Sequence, residues 1–304
     1  MPRFILRTLA LAAFAALTAC ATPLSTRRAD PADLGAPAHE ANIVAAMQQP
    51  GIVSFEKILV ADWHFPNTTR APGTSEWSIR ELDAQIYFYA IRHPRFGLYL
   101  IDAGMPADYE AHMGPILRNV VRNDYAFQLR QATEAWTAVN GEPNAIFISH
   151  LHYDHVLGAV NLSRTVPIYL GPNDGAQRNF FYRFINQPTR EALAHRPVRA
   201  WQFATPASTE LAAIDIFGDG SVFALHTPGH TPGSTAYLVN STTGPQLITG
   251  DAVHSREAWT GEREEATGFE PDLPQIFASR RALQALAARI PNVAAHPGHQ
   301  SLHH

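Results

Sequence analysis

The sequence predicts an α/β protein in which two layers of sheet lie between helices. Three observations carry that expectation. The 304 residues are 46% hydrophobic and 16% charged, the balance of a globular chain with a sizeable core and not of a disordered or coiled-coil one. Short apolar runs bounded by Gly, Pro and polar residues recur from residue 52 onward, as strands do. Helical spacing falls between those runs in three places. Both halves of the chain carry strands followed by helices, with no linker-like boundary and no short-period repeat, so one layered domain is expected.

Taken in order, residues 1–19 read as an export signal. Arg3 and Arg7 give a positive start, and the Leu/Ala/Phe run that follows is too short to cross a bilayer as a helix. A plain secretory signal cleaved near Ala21 is one reading. Leu17-Thr18-Ala19-Cys20 resembles the bacterial lipobox, which implies a lipid anchor on Cys20, the sole cysteine, and a lipoprotein on the periplasmic side of a bacterial membrane, the outer membrane being expected. With one cysteine there is no internal disulfide, and catalysis by a cysteine in the mature domain is excluded. Residues 20–45, rich in Ala, Pro and Thr at their start, are expected to form the lipidated N-terminus and tether, and 46–304 the folded domain. Maturation at Cys20 leaves 21 basic against 27 acidic side chains, a balance of −6. That charge, with no Lys/Arg run, excludes nucleic acid as a partner.

Strands are expected at 52–60, 85–91, 97–101, 145–148, 166–170, 214–217, 222–225, 236–239 and 246–248, and helices at about 126–138, 172–184 and 273–289. The last helix has Ile276, Leu283, Leu286 and Ile290 near helical spacing. The acidic run Glu262-Arg263-Glu264-Glu265 reads as a solvated loop face.

Chemistry concentrates after the strands. Fifteen histidines are the compositional outlier, and they cluster. Ser149-His150-Leu151-His152-Tyr153-Asp154-His155 follows the run at 145–148. Thr227-Pro228-Gly229-His230, Thr249-Gly250-Asp251 and Pro297-Gly298-His299 each follow another strand. Loops after strands collect functional groups on one edge of an α/β sheet. In extended backbone His150 and His152 point to one side, so both can hold one ion, and a turn would bring Asp154 and His155 to a second. His230 would complete the first site and His299 the second, with Asp251 bridging. His296 competes with His299 for the last position, and the Pro-Gly-His pattern favours His299.

These motifs, in this order, resemble the metal motifs of the metallo-β-lactamase superfamily across about residues 52–300. Leu98-Tyr-Leu-Ile-Asp102-Ala-Gly104 resembles its early strand, whose aspartate supports the metal site from behind. The resemblance implies an αβ/βα sandwich of two mixed sheets flanked by helices. It also implies two divalent ions, commonly zinc, with Mn2+, Co2+ or Fe2+ as alternatives. An aspartate at the bridging position is unusual in the true β-lactamases, and His-Leu-His-Tyr-Asp-His is similar to N-acyl homoserine lactonases. Those lactonases often carry a tyrosine three residues after the bridging aspartate; His254 stands there in this chain and could still donate a hydrogen bond.

The expected function is therefore dinuclear hydrolysis of a small molecule, a lactone of the acyl homoserine type or a related ester. A hydroxide shared by two ions would attack, and Asp154 would orient it. Organophosphate or aryl ester hydrolysis and β-lactam hydrolysis are the rival activities, and a metal-binding lipoprotein without turnover is the non-enzyme alternative. Trp63-His64-Phe65-Pro66, in an early loop, and the aromatic knot at 180–184 are candidates to wall the substrate pocket, the second of them reading first as aromatic residues that pack a helix onto the sheet. The oligomeric state stays open, a homodimer being one option.

Overall fold

The longest strands owe their length to alternation of side chains between two environments. A computed structural model describes residues 21–205, 210–266 and 272–302. In chain order the strands are β1 (Thr22–Pro23), β2 (Asp30–Pro31), β3 (Ala36–Ala38), β4 (Ser54–Arg70), β5 (Ser78–His93), β6 (Gly97–Ile101), β7 (Gln128–Leu129), β8 (Ala145–Phe147) and β9 (Ile168–Leu170). Then come β10 (Arg178–Asn179), β11 (Val198–Ala200), β12 (Ala213–Asp215), β13 (Val222–His226), β14 (Thr235–Ser241), β15 (Gly244–Gly250), β16 (Glu264–Ala266) and β17 (Ala294–Pro297). The α-helices are α1 (Glu40–Met47), α2 (Pro115–Asn119), α3 (Thr133–Asn140), α4 (Tyr153–Val156), α5 (Tyr182–Ile185), α6 (Gln187–Leu193), α7 (Arg256–Thr260) and α8 (Leu273–Ala287).

Apart from the two-stranded pair of β1 and β10, the strands form two mixed sheets. One runs β16-β4-β5-β6-β8-β9-β11-β2, with β7 also on β4; the other runs β17-β15-β14-β13-β12-β3. Aromatic and branched side chains from both sheets, among them Tyr89, Phe147, Trp201, Tyr237 and Ile248, fill the space between them. The outer face of the first sheet is covered by Trp136, Tyr182 and Leu193 from helices, and that of the second by Ile43, Leu283 and Leu286. This is the expected sandwich, helices outside and two sheets within.

Several boundaries differ from the sequence reading, each for a local reason. The run expected at 52–60 continues to Arg70, because a bulge between Leu59 and Ala61 shifts the register and reverses the alternation. Val60 and Ala61 are thus both buried, and Trp63 and Phe65 return to the same face as Ile58 and Val60. Trp63–Pro66 is therefore strand, not loop. Residues 126–138 begin with the short β7 before α3. Residues 172–184 break into a turn at Asp174–Ala176, then β10 and α5, with Asn173 in the left-handed region at φ 60°. β6 matches its expectation residue for residue, β8 and β13 to within one residue, and of the helices α8 matches closely, capped where the Asp272 side chain accepts from the Gln275 backbone N–H at 3.0 Å.

Residues 22–38 do not trail away as a tether. β1 pairs with β10, β2 with β11 and β3 with β12, and Leu24 is fully buried. Short edge additions of this kind satisfy backbone groups that an edge strand would otherwise expose. The signal segment and Cys20 lie outside the described residues. Among the described residues no helix is long and apolar enough to cross a membrane.

Candidate metal centre

The site forms where the ends of both sheets meet. β6, β8 and β9 are parallel neighbours, as are β15 and β17, and the loops leaving β6, β8, β13, β15 and β17 converge. The Thr235 N–H donates to Ser149 O at 2.8 Å, tying a loop of one sheet to a loop of the other. Two side-chain groups result: His150, His152, His230 and Asp251, and beside them Asp154, His155 and His299.

Spacing within each group matches what one cation requires. In the first, His150 Nε2 and His152 Nδ1 are 3.0 Å apart, and His230 Nε2 is 3.2 Å and 2.9 Å from them. Asp251 Oδ2 closes the set at 3.6 Å from His150 and 3.5 Å from His230. In the second, His155 Nε2 is 3.2 Å from Asp154 Oδ2, and His299 Nε2 is 3.6 Å from the same oxygen. Asp251 again takes part, Oδ1 at 3.4 Å from His155 and Oδ2 at 3.2 Å from His299. Tetrahedral ligands at about 2.0–2.1 Å from a cation stand roughly 3.3 Å from one another, so both groups fit. Buried His155 Nε2 and Asp251 Oδ1 have no hydrogen-bond partner, as atoms aimed at an ion would.

Supports behind the cluster fix which nitrogen faces inward. His155 Nδ1 lies 2.8 Å from Asp102 Oδ2, and His299 Nδ1 lies 2.9 Å from Gln85 O, so each ring presents Nε2 to the site. Asp102 also accepts from the Ser149 N–H at 2.7 Å and the Ser149 hydroxyl at 2.9 Å. Asp174, wholly buried, accepts from the Thr231 hydroxyl and so anchors the His230 loop. Gly298 has no side chain because a methyl there would overlap Asp251 Oδ1. Gly229, at φ 140°, lies against the backbone of Ile276 where no Cβ fits.

Burial and neighbouring charge set the protonation of the cluster. Burial, helped by adjacent imidazoles, pushes His152 and His230 down to about 3 and His150 well below the usual histidine range. These rings are thus neutral at neutral pH, the form in which imidazole binds a cation. Burial also disfavours charge on His155, but Asp251, Asp154 and Asp102 outweigh it and hold the imidazole well above its usual range. The proton His155 keeps is the one that cation binding would release. Asp251 feels the opposite balance: burial raises it, and His299, His155, His254 and His150 pull it well below the carboxylate range.

A family model described as the metallo-beta-lactamase superfamily matches residues 83–302. The chain belongs to that superfamily. Among curated proteins, N-acyl homoserine lactonase AttM of Azorhizobium caulinodans is 26% identical over 230 residues, covering 69% of this chain and 80% of the relative. Gamma-lactamase FDB1 of Fusarium pseudograminearum is 25% identical over 190 residues, covering 57% of this chain and 46% of that protein, so the match spans under half of it. Among solved structures, B. thuringiensis AiiA with N-decanoyl-L-homoserine bound at the active site superposes with a TM-score of 0.53 at 18% identity, covering 79% of this chain and 93% of that one. At that identity the likeness speaks for the fold.

The superfamily fold brings together every residue singled out for metal binding. It also separates the two C-terminal histidines. His299 joins the cluster, whereas His296 bonds Gln246 Oε1 at 2.8 Å and stacks beside Phe55 and Tyr89 between the sheets. His254 is buried at the site, Nε2 lying 3.3 Å from Asp251 Oδ2. Its other side exposes an error in the sequence reading. Glu265, assigned to a solvated loop face, is completely buried beneath His254. Its carboxylate accepts from the His254 N–H at 2.7 Å, the Ser255 hydroxyl at 2.7 Å and Asn67 Nδ2 at 3.2 Å, and it faces the buried Arg280 guanidinium at 3.5 Å. β16 carries it inward by pairing with β4. Burial raises Glu265, yet His254 and Arg280 hold it far below the carboxylate range, while Asp251 and Glu265 overcome burial to hold His254 well above the histidine range.

Above the cluster opens a cavity of about 340 Å³, whose walls include Trp63, Phe65, Ile79, Tyr125, Tyr153 and Ile185. Asp154, Asp251, His254 and His299 form its floor. Trp63 packs on His299 at 5.5 Å and on Tyr125 at 5.6 Å between ring centroids. The pair Trp63 and Phe65 therefore walls the pocket. Of the aromatic knot, Tyr182 is buried, whereas Phe181 and Phe184 are exposed and lie outside the lining of the cavity. Tyr125, Ile79 and Ile185 escaped the sequence reading, since each is an ordinary apolar or aromatic residue brought in from a distant segment.

Proposed function

We propose that this chain is a dinuclear metal-dependent hydrolase that opens lactones of the acyl homoserine type or related carboxylic esters. The placement of Asp251 carries the reading: one carboxylate within 3.2–3.6 Å of ligand nitrogens in both groups suits a bridge between two ions. His150, His152, His230 and Asp251 would hold one ion, and Asp154, His155, His299 and Asp251 the other, zinc being the expected metal. Such a pair, when bound, supplies a hydroxide nucleophile near neutral pH and draws charge from the scissile carbonyl oxygen. The name of the AttM relative, an N-acyl homoserine lactonase, supports a lactone substrate.

The chain's own residues have distinct parts in this reading. Asp154, kept ionised by His155 and His299 against the effect of burial, accepts a hydrogen bond from the attacking water. His254, flanked by two acids, donates toward the oxygen on which charge develops, replacing the tyrosine of lactonases. Glu265 orients that ring. Trp63, Phe65 and Tyr125 take the apolar part of the substrate and keep bulk water from the floor. The histidine at 254 is also the feature that favours the rival ester or phosphotriester activity. The lipobox resemblance supports export and a lipid anchor at Cys20, which would place the enzyme on the periplasmic face of a bacterial membrane.

The test is a panel of acyl homoserine lactones, aryl esters, a paraoxon-type triester and nitrocefin, offered to protein replete with zinc or manganese. Lactone opening fastest, abolished by chelation and by His152→Ala, supports the proposal. Faster triester or β-lactam cleavage would replace it with a rival, and stoichiometric metal without turnover would favour the non-enzyme reading.

A further inference from the structure

One face that includes α5, the helix that brings Ile185 to the cavity, concentrates arginine on a chain whose formal charge is −4. Arg118, Arg183 and Arg190 are exposed there, and two adjoining hollows share Pro115 along this face. Among the described residues none of these three arginines has an ion-pair partner; the one acid in the hollow, Glu191, is taken by His112 at 2.7 Å. Large apolar side chains stand exposed among them. Phe181 is 57% exposed, Ile116 52% and Phe184 36%. The Arg183 guanidinium lies 5.4 Å from the Phe184 ring centre, so charge and apolar surface are interleaved.

The chain enters the fold at the same place. β1 pairs with β10, Arg178 donates to Ala21 O at 2.8 Å, and Asn186 donates to Pro23 O at 3.4 Å, fastening the first described residues beside α5. Cys20, the expected lipid attachment point, immediately precedes Ala21. An exposed patch combining aromatic side chains with arginines that have no described ion pair matches a bilayer interface, where rings enter the headgroup region and guanidinium groups meet phosphate.

The structure assigns this face, built on α2, α5 and α6, to docking on an anionic phospholipid surface. A single acyl chain or a polybasic patch alone gives reversible attachment, and two signals together give stable attachment. The face would thus supply the second signal beside the anchor and fix the orientation of the body on the membrane. It does not depend on the hydrolase reading, because binding is measured without substrate.

A chain beginning at Ala21, free of signal and lipid, isolates the face. It should cosediment with vesicles of phosphatidylglycerol and phosphatidylcholine but weakly with phosphatidylcholine alone, and raised salt should release it. Phe181→Ser with Phe184→Ser, and separately Arg183→Gln with Arg190→Gln, should each weaken binding on the order of 10-fold. Val139→Ser, on another exposed side chain, should leave it unchanged, and thermal unfolding of all three should match the parent. Equal binding to both vesicle types, no binding to either, or variants that bind like the parent would overturn the assignment. So would loss of self-association in the variants in place of lost vesicle binding, which would mark the face as a contact between copies of the chain.

Discussion

Glu265→Ala removes a carboxylate that four donors and one guanidinium converge on. Glu265 has no exposed surface and Arg280 is 5% exposed, so the substitution leaves a buried positive charge without its partner. The Ser255 hydroxyl, the His254 and Ser255 backbone N–H groups and Asn67 Nδ2 lose their acceptor as well. Breaking a buried pair from one side costs about 3–5 kcal/mol, and for a domain of this size that lowers the melting temperature by roughly 6–15 °C. Glu265→Met combined with Arg280→Met leaves no lone charge and should recover at least half of the loss. Hydrolysis should stay low in the double variant, because His254 no longer has the carboxylate that orients it. Thermal unfolding followed by circular dichroism, with lactone opening measured on the same samples, separates the two effects. Melting of Glu265→Ala within about 2 °C of the parent would refute the reasoning, since no buried charge could then depend on this residue.

Other consequences follow from residues around the cluster. Asp174 is raised by burial from 3.8 to about 7, so between those pH values the folded chain holds a proton that the unfolded chain has lost. Asp174 should therefore contribute most to the stability of the chelated protein at the acid end of that window, and its contribution should fall by on the order of 4 kcal/mol as pH rises through it, opposite in sign to that of the buried neutral His152 and His230. Asp174→Asn should flatten this slope in urea titrations at pH 5 and pH 8, and parallel slopes would contradict it. Gly298→Ala forces a methyl against Asp251 Oδ1 and should weaken cation affinity about 10–100-fold in a chelator competition, with little change in melting of the metal-free chain. Unaltered affinity would show that Asp251 is not confined there. Trp63→Ala should raise KM for long-chain lactones several-fold to about tenfold and change short-chain substrates less, because only the former reach the apolar wall. An equal effect on both would place the acyl chain elsewhere.

The ligand set was legible because its signals are local. His150-Leu-His152-Tyr-Asp154-His155 directly follows a strand, and His230, Asp251 and His299 each sit in short Gly- or Pro-marked segments at strand ends. The αβ/βα layering was legible for the same reason. What escaped was set by contacts distant in sequence. Glu265 belongs to a run that reads as solvated, and only pairing of Glu264–Ala266 with Thr68–Arg70 turns it inward. β4 looked finished at residue 60 because the bulge there breaks the period by which strands are recognised. Residues 22–38, polar and Pro-rich, gave no sign of the three strand edges that receive them. The exposed Phe181 and Phe184 read as core because aromatic clusters usually are.

The central claim is that seven side chains from separate loops hold two cations that act together. Metal content and lactone hydrolysis measured on one preparation, titrated with zinc after exhaustive chelation, test it most directly. Two equivalents per chain should bind, activity should return only as the second site fills, and His155→Ala should retain close to one equivalent with activity reduced at least about 100-fold. Full hydrolytic rate at less than one equivalent of bound metal would contradict the account.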